Sequence, residues 1–201
     1  MYRQCGKLKE LYIEHEERFG AVLAPLYSAF SNVKPMRKFY SFVIDDLRKS
    51  RFRSMLDVGT GPGMIPIALS KLKNARMYAV DPSESMIAIA KRKAGSSEKI
   101  NFALGSSRHI PFKTKFDMII STLSFHHWER KRESLQYLKK FLTEGGQIRI
   151  YELQRKRKPM LPWLGSHTLD ANEAILVANS SGLRVTRIKK RDGFICLTMK
   201  P

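Results

Sequence analysis

The sequence predicts an α/β fold in which helices cover both faces of a largely parallel sheet. From Ser54 onward, short apolar runs alternate with amphipathic segments, as βαβ crossovers require. A glycine-rich turn follows the first of these runs directly. Near the end of the chain, two β-rich runs flank Asp192-Gly193, a dipeptide that favours a two-residue hairpin. We therefore expect an antiparallel pair of strands to complete the sheet.

The individual elements follow from changes in apolar period. The predicted strands are 55–58, 77–80, 100–104, 116–121, 147–152, 183–190 and 194–199. The predicted helices are 63–73, 84–94, 132–142 and 172–180. Residues 1–53 have helical spacing without strand alternation, which predicts two or three helices broken near 31–35. The segment 153–171 is a long basic connection, and such connections are usually functional or mobile.

Length and composition indicate one globular domain with an N-terminal appendage. The chain has 201 residues, of which 43% are apolar, enough for a core without disulfides or a structural metal. There are 37 Lys and Arg against 18 Asp and Glu, giving a net charge of +19. This charge predicts attraction to nucleic acid, acidic membrane surfaces, acidic proteins or small anionic substrates, although a general compositional bias is equally open.

The cysteines and the apolar runs indicate the compartment. Cys5 and Cys196 are far apart and match no metal-ligand spacing, so we expect inert thiols, a reducing cytosol and no metal site. The first ten residues contain no apolar signal core, and no apolar run approaches the roughly 20 residues of a membrane span. We therefore expect a cytoplasmic protein without a membrane span.

The strongest motif is LDVGTGPG at 56–63, an apolar strand that runs into a glycine-rich turn and then a helix. A side chain at Gly59, Gly61 or Gly63 would obstruct a tight turn or the approach of a ligand to the backbone. The turn amides and the helix N-terminus favour a carboxylate or a phosphate. In a doubly wound sheet this turn lies at the carboxyl ends of the strands, where ligands bind.

The second motif is VDPSESM at 80–86, which places an acidic residue at the end of the next predicted strand. Asp81 follows the glycine turn at about the separation, roughly 20 residues, at which an acidic side chain accepts hydrogen bonds from ribose hydroxyls. The two motifs together indicate an adenosine-type ligand with an anionic end. Met64 stands where the dinucleotide fingerprint needs a small residue, which disfavours NAD. A Walker phosphate loop is excluded because no Lys-Ser or Lys-Thr closes the turn.

In these residues the chain resembles the class I S-adenosylmethionine-dependent methyltransferases, within the group that includes ubiquinone and menaquinone biosynthesis methyltransferases. The resemblance covers 54–152 and also rests on GSS at 105–107 with IPF at 110–112, FDMIIS at 116–121 with LSFHHW at 123–128, and LTEGG at 142–146. It implies a Rossmann-like, seven-stranded sheet of order 3-2-1-4-5-7-6 with an antiparallel last strand. It also implies a helical lid at 1–53 in front of a methyltransferase domain at 54–201.

The resemblance assigns the cofactor-binding residues one by one. Gly59, Thr60, Gly61 and Gly63 would line the methionine part of S-adenosylmethionine, and Asp57 would reach its ammonium group. Asp81 would hold the ribose, while Pro82 and Met86 would pack against the adenine. The remaining implied contacts are Ser106 and Ser107 at the adenine amino group, and Ser121 and Thr122 below the sulfonium. The family often has Asp where this chain has Ser106, so we expect that adenine contact to be weaker or to come from the backbone.

Each assignment has a structural alternative. Asp57 could satisfy loop amides at a strand end, Asp81 could cap the following helix, and Met86 could belong to the core. Methyl transfer from a sulfonium is an in-line displacement, and a general base is needed only if the acceptor must lose a proton. We expect a structural role for the paired histidines, and choose His126 if one of them is catalytic.

The predicted function is S-adenosylmethionine-dependent methyl transfer to a small molecule. The alternative is an enzyme or binding protein that acts on an anionic macromolecule such as RNA, to which the basic run at 155–158 could contribute. A nicotinamide oxidoreductase is the third reading and the one that Met64 disfavours. The sequence identifies neither the acceptor nor the oligomeric state.

Overall fold

Helices and strands alternate along the chain as the sequence predicts. The computed structural model describes residues 34–154 and 168–201. The helices are α1 (Lys34–Arg48), α2 (Met64–Leu72), α3 (Glu84–Ala94), α4 (Lys131–Lys139) and α5 (Ala171–Ser180), with a 3₁₀ turn at Phe125–His127. The strands are β1 (Ser54–Val58), β2 (Arg76–Asp81), β3 (Ile100–Leu104), β4 (Phe116–Thr122), β5 (Leu142–Gln154), β6 (Thr168–Leu169), β7 (Arg184–Arg191) and β8 (Phe194–Lys200).

The strands form one sheet in the order β3-β2-β1-β4-β5-β8-β7. Strand β8 is antiparallel to both of its neighbours, and the other pairs are parallel. The predicted order and the antiparallel last strand are therefore confirmed. Asp192 and Gly193 close the β7–β8 hairpin with φ of 54° and 83°, the two positive values that a type I′ turn needs. The structure adds an eighth strand, β6, whose two residues pair with the end of β5.

Two predicted boundaries are wrong by more than two residues. Helix α4 ends at Lys139 and not at 142, because the amide of Phe116 binds the carbonyl of Phe141 and starts the next strand pair there. Strand β5 covers thirteen residues and begins five residues before the predicted 147. Gly145 and Gly146 interrupt the apolar alternation in its first part, where the register with β4 is irregular between Phe116 and Met118. The connection predicted at 153–171 is shorter than expected, since β5 and β6 take residues from both of its ends.

Two apolar layers, one on each face of the sheet, hold the helices in place. Helices α4 and α5 contribute Leu135, Leu138, Ala174 and Ala178 to the core on one face. Helices α1 and α2 cover the other face through buried side chains that contact the sheet. These are Phe39, Phe42, Val43, Leu47, Ile65 and Leu69. The described part of the predicted lid segment thus includes a helix packed on the sheet, while residues 1–33 lie outside the described residues.

Within the described ranges, no helix is both long and apolar enough to cross a membrane.

Candidate active site

A cleft opens at the carboxyl ends of β1, β2 and β4, where the sequence predicts the ligand. Its open volume, which includes the solvent at its mouth, is about 890 Å³. Nine of the predicted cofactor residues line it: Gly59, Thr60, Gly61, Asp81, Pro82, Met86, Ser106, Ser107 and Thr122. The predicted residues that do not line it are Asp57, Gly63, Ser121 and His126.

The glycine turn is fixed from behind and open in front. The amides of Gly59 and Thr60 both donate to the carbonyl of Val80, at 2.9 and 3.0 Å, and so tie the turn to β2. Gly59 has φ +75°, and a Cβ there would lie 2.1 Å from Ser124 Oγ. A Cβ on Gly61 would meet nothing within 4 Å, so the turn presents bare backbone to the cleft at this residue. Because Gly63 has no side chain, the start of α2 can pack closely against Ala90 and Phe102, each of which would lie 3.0 Å from a Cβ at this position.

Asp81 organises the same turn. Its carboxylate accepts hydrogen bonds from the amides of Gly61 at 2.7 Å and Ser83 at 3.0 Å. Burial raises the pKa of Asp81 to about 6, although both hydrogen bonds favour the ionised form. Ser83, not Asp81, is the N-cap of α3, because its hydroxyl accepts the amide of Met86.

Two polar atoms behind the cleft are buried without a hydrogen-bond partner among the described residues. They are Asp57 Oδ1 and Ser121 Oγ, each next in sequence to a residue that lines the cleft. The other oxygen of Asp57 accepts the Thr60 hydroxyl at 2.8 Å. Burial raises the pKa of Asp57 to about 7, against the Thr60 hydrogen bond and with a contribution from the charge of Asp81. Since unpaired buried polar groups are costly, a cationic or donating ligand group would suit this position.

The serine loop after β3 closes another side of the cleft. Ser106 forms an isolated bridge with His109, and its hydroxyl accepts the amide of Arg108 at 3.3 Å. The hydroxyl of Ser107 lies 2.8 Å from that of Ser134 in α4. Both residues therefore border the cleft with hydroxyls that are already engaged by the protein.

The paired histidines are placed differently from one another. His126 Nδ1 lies 2.8 Å from Oε2 of Glu152, a fully buried carboxylate that also accepts the His126 amide at 3.3 Å. His127 lines the cleft, and its ring centroid lies 3.6 Å from that of His126. The structure thus brings His127 to the cleft and holds His126 against Glu152.

Sequence reasoning did not single out Leu123, Ser124 or Glu152. Leu123 lines the cleft in a left-handed conformation with φ +50°, which non-glycine residues adopt mainly at constrained sites. Ser124 accepts the Trp128 indole N–H at 3.2 Å and lies against the glycine turn. No local sequence signal marks the contact of Ser124 with the glycine turn or that of Glu152 with His126, because each joins segments that are distant along the chain.

No three side chains among residues 34–154 and 168–201 are grouped as metal ligands.

Comparison with known proteins identifies this architecture. Residues 56–150 match the family model described as a methyltransferase domain. An uncharacterized methyltransferase of Staphylococcus carnosus is 30% identical over 115 residues, which are 56% of this chain and 53% of that relative. Malonyl-[acyl-carrier protein] O-methyltransferase 2 of Ilyobacter polytropus is 31% identical over 96 residues, 47% of this chain and 37% of that relative.

The likeness in fold extends further than the likeness in sequence. A SAM dependent methyltransferase from Aquifex aeolicus, 20% identical, superposes with a TM-score of 0.75 over 90% of this chain and 98% of its own. The chain spans about half the length of the first two curated relatives it matches. The domain match at residues 56–150, the relatives and the sheet topology agree with one another and support a class I S-adenosylmethionine-dependent methyltransferase.

Proposed function

We propose that this chain binds S-adenosylmethionine in the cleft and transfers its methyl group to a small-molecule acceptor. The observation that carries the proposal is the junction of the glycine turn with Asp81, where bare backbone at Gly61 meets a buried carboxylate. Such a junction suits a ligand that has a ribose and a charged amino-acid end.

The polar groups of the site fit the two ends of this cofactor. A carboxylate oxygen can accept more than one hydrogen bond, so Asp81 can hold ribose hydroxyls while it keeps the amides of Gly61 and Ser83. Asp57 Oδ1, which is buried without a partner among the described residues, suits the ammonium group. Pro82 and Met86 line the cleft where the adenine would pack.

When bound, S-adenosylmethionine supplies a methyl group on a positively charged sulfur. The protein then has to hold the acceptor in line with that methyl group and keep water away. Trp128, which is 4% exposed, and Val58, which is 1% exposed, give the cleft dry walls. Thr122 is the last residue of β4 and lines the cleft. Thr122 would lie below the sulfonium of the bound cofactor, and so would Ser121, which lies behind the cleft wall.

The histidine pair is the proposed proton acceptor for substrates that must lose a proton. In the tautomer in which Nδ1 of His126 carries the hydrogen, Nδ1–H donates to the Glu152 carboxylate 2.8 Å away and Nε2 is the basic nitrogen of the ring. His127 borders the cleft and contacts His126 with the two ring planes tilted by 51°, so the two rings and Glu152 form one unit. We retain His126 as the proposed base and assign to His127 the contact with the acceptor.

The described walls of the cleft favour an acceptor without negative charge. No Lys or Arg occurs among the cleft-lining residues of the described ranges. A polyanionic acceptor such as RNA is the second candidate, and the observation that favours it is the basic run at 155–158, which lies outside the described residues.

Calorimetry tests the cofactor part of the proposal. The intact chain is titrated with S-adenosylhomocysteine and, separately, with NAD. We expect binding of S-adenosylhomocysteine alone, and an Asp81→Ala variant should bind it with a loss of about 1–3 kcal/mol, because ribose hydroxyls and turn amides lose their acceptor. Tight binding of NAD, or an Asp81→Ala variant of unchanged affinity, would contradict the proposal.

Methyl transfer is tested with tritiated S-adenosylmethionine and a cell extract separated into small-metabolite, protein and RNA fractions. We expect label in the small-metabolite fraction, and label in RNA would establish the second candidate. For the acceptor so found, His126→Ala and His127→Ala are compared in turnover and in affinity for S-adenosylhomocysteine. A proton-accepting role predicts lower kcat at unchanged cofactor affinity, whereas equal losses of both indicate a structural role.

A further inference from the structure

The edge of the sheet opposite the cleft carries a row of exposed cations. At this edge, every long strand except β5 has a Lys or Arg. The cation is either the end residue of the strand itself or the residue that immediately precedes the strand in the chain. We call this row the basic edge. In sheet order it consists of Lys99, Arg76, Arg53, Lys115, Lys200 and Arg184, all of them exposed.

Strand pairing places these cations side by side. The amide of Arg76 donates to the carbonyl of Arg53, and the amide of Met77 donates to the carbonyl of Lys99. On the other side, the Ser54 hydroxyl lies 3.4 Å from the carbonyl of Lys115. Because neighbouring strands lie about 4.8 Å apart, the basic edge presents positive charge at short intervals, with one gap at β5. It lies one strand length, roughly 17 Å for a five-residue strand, from the cleft.

A groove adjoins the basic edge where the α1–β1 connection faces residues 143–147 of β5. Its open volume is about 1,460 Å³. Its cationic lining residues are Arg48, Lys49, Arg51, Arg53 and Lys73. Phe52 and Leu72 add apolar surface, and the side chain of Leu72 is 60% exposed.

The acidic residues only partly offset the charge of this surface. Asp117 and Glu144 line the groove beside its five cationic side chains, and the Asp117 carboxylate accepts the amides of Arg53 and Ser54 at 2.7 and 3.1 Å. Glu98 and Glu144 are the exposed acids near the edge. By contrast, the buried carboxylates of Asp57, Asp81 and Glu152 lie at the opposite, cleft end of the strands. The positive charge is therefore concentrated at the end of the sheet that holds no part of the proposed active site.

Helix dipoles account for only part of this arrangement. Cations in the last turn of a helix are favoured by its dipole, which explains Arg48 in α1 and Lys71 in α2. The residues of the basic edge belong to strands or to the connections that enter them, and strands have only small net dipoles. Their common position needs another reason.

We propose that the basic edge and its groove bind single-stranded RNA through its phosphates. A concave, positively charged surface with an aromatic ring is typical of sites that follow a single strand. The half-buried Phe52, whose ring centroid lies 4.8 Å from Lys73 Nζ, supplies that ring. A flat bilayer surface could reach only the rim of the groove. RNA is the nucleic acid most often met as unpaired strands. This docking surface is separate from the cleft, and the proposal does not depend on which acceptor is methylated.

The test measures fluorescence anisotropy of a labelled 20-nucleotide oligouridylate with the intact chain between 0.05 and 0.3 M salt, conditions chosen in view of the steep salt dependence of such binding. The edge variant is Arg53→Gln/Arg76→Gln. The matched control is Arg187→Gln/Lys190→Gln, which removes two exposed cations from β7 away from this edge. Each lost phosphate contact lowers the logarithmic salt slope by about 0.7, so the edge variant should bind about tenfold more weakly at 0.15 M salt. The control should lose less than about twofold.

Several results would overturn the proposal. Equal losses in both variants would mean that binding follows total charge, and no binding by the intact chain at 0.15 M salt would remove the RNA site. If vesicles containing phosphatidylserine bind the intact chain and not the edge variant, while RNA binds neither, the surface docks to membranes. Unchanged affinity of the edge variant for S-adenosylhomocysteine shows that it is folded and separates this test from that of the methyltransferase activity.

Discussion

The carboxyl group of Asp57 is held at the end of β1 with one oxygen bound to Thr60 and the other unpaired among the described residues. Because burial raises its pKa from 3.8 to about 7, the folded protein holds a proton there that the unfolded chain releases. This contribution to stability is fully present below pH 3.8 and is lost as pH rises through 7. A bound ammonium group would favour the carboxylate, so cofactor binding should release a proton.

The variant Asp57→Asn separates the effect of this carboxyl group on stability from its effect on cofactor binding. It has no buried charge to form, so we expect its free energy of unfolding at pH 8 to exceed that of the parent by about 1–3 kcal/mol without cofactor. Its stability should also vary less between pH 5 and 8. Its affinity for S-adenosylhomocysteine should fall about tenfold or more, the loss of one charge-assisted hydrogen bond. Urea unfolding and calorimetry measure the two quantities, and unchanged affinity would remove Asp57 from the ammonium site.

Individual residues were predictable where a local pattern fixed their place. Gly61 and Asp81 follow from a strand, a turn and a helix in sequence, and the structure brings their polar atoms within 2.7 Å. Ser124 was not predictable, since its contact with Gly59 joins the ends of β1 and β4. The different positions of His126 and His127 depend on a three-residue 3₁₀ turn and on Glu152 from β5, neither of which has a sequence pattern.

At the scale of elements, the β1–α2 turn and the segment after β4 fit together without spare space. We expect Gly59→Ala to destabilise the protein by about 2–4 kcal/mol, partly from its φ of +75° and partly from overlap with Ser124. Adding Ser124→Gly should recover the part of the lost stability that is due to overlap, whereas the part due to the backbone conformation of residue 59 should remain. Thermal unfolding of the single and double variants measures both parts, and a double variant no more stable than Gly59→Ala would argue against the contact.

The comparison variant is Gly61→Ala, in the same turn. Its φ is +53° and nothing lies within 4 Å of the added carbon, so only the backbone part, about 1–2 kcal/mol, applies. The methyl group would project from the surface on which the cofactor is proposed to lie. We therefore expect this milder variant to lose more affinity for S-adenosylhomocysteine than its stability alone implies.

The elements themselves were predictable to different degrees. The Asp-Gly hairpin and the caps at Ser83 and Asp170 are local, and the structure confirms the hairpin and shows both caps. The early start of β5 was missed because Gly145 and Gly146 interrupt the apolar alternation. That part of the strand is held by pairing with Phe116 in β4, a contact that no local pattern carries.

At the scale of the whole molecule, a buried ion cluster joins α1 to the strands formed much later in the chain. The Asp46 carboxylate accepts hydrogen bonds from Arg149 at 2.7 Å, Tyr151 at 2.8 Å and Lys189 at 2.7 Å. Burial acts to raise the pKa of Asp46, but these donors hold it below its usual value of 3.8. The stabilisation is therefore present above pH 3.8 and is lost as pH falls through the lowered pKa.

Removing this carboxylate should weaken the attachment of α1 far more than removing its neighbour does. Asp46→Ala leaves the buried Arg149 without its counter-ion, so we expect a loss of about 3–5 kcal/mol in urea unfolding at pH 7. The matched variant is Asp45→Ala, whose side chain is 42% exposed and which pairs, within the described part of the chain, with the exposed Arg48 and Arg191, so the loss should stay below about 1 kcal/mol. If an uncompensated charge is the cause, adding Arg149→Met to Asp46→Ala should cost less than the sum of the single variants. Additive losses would instead mean that each side chain stabilises α1 independently, through packing.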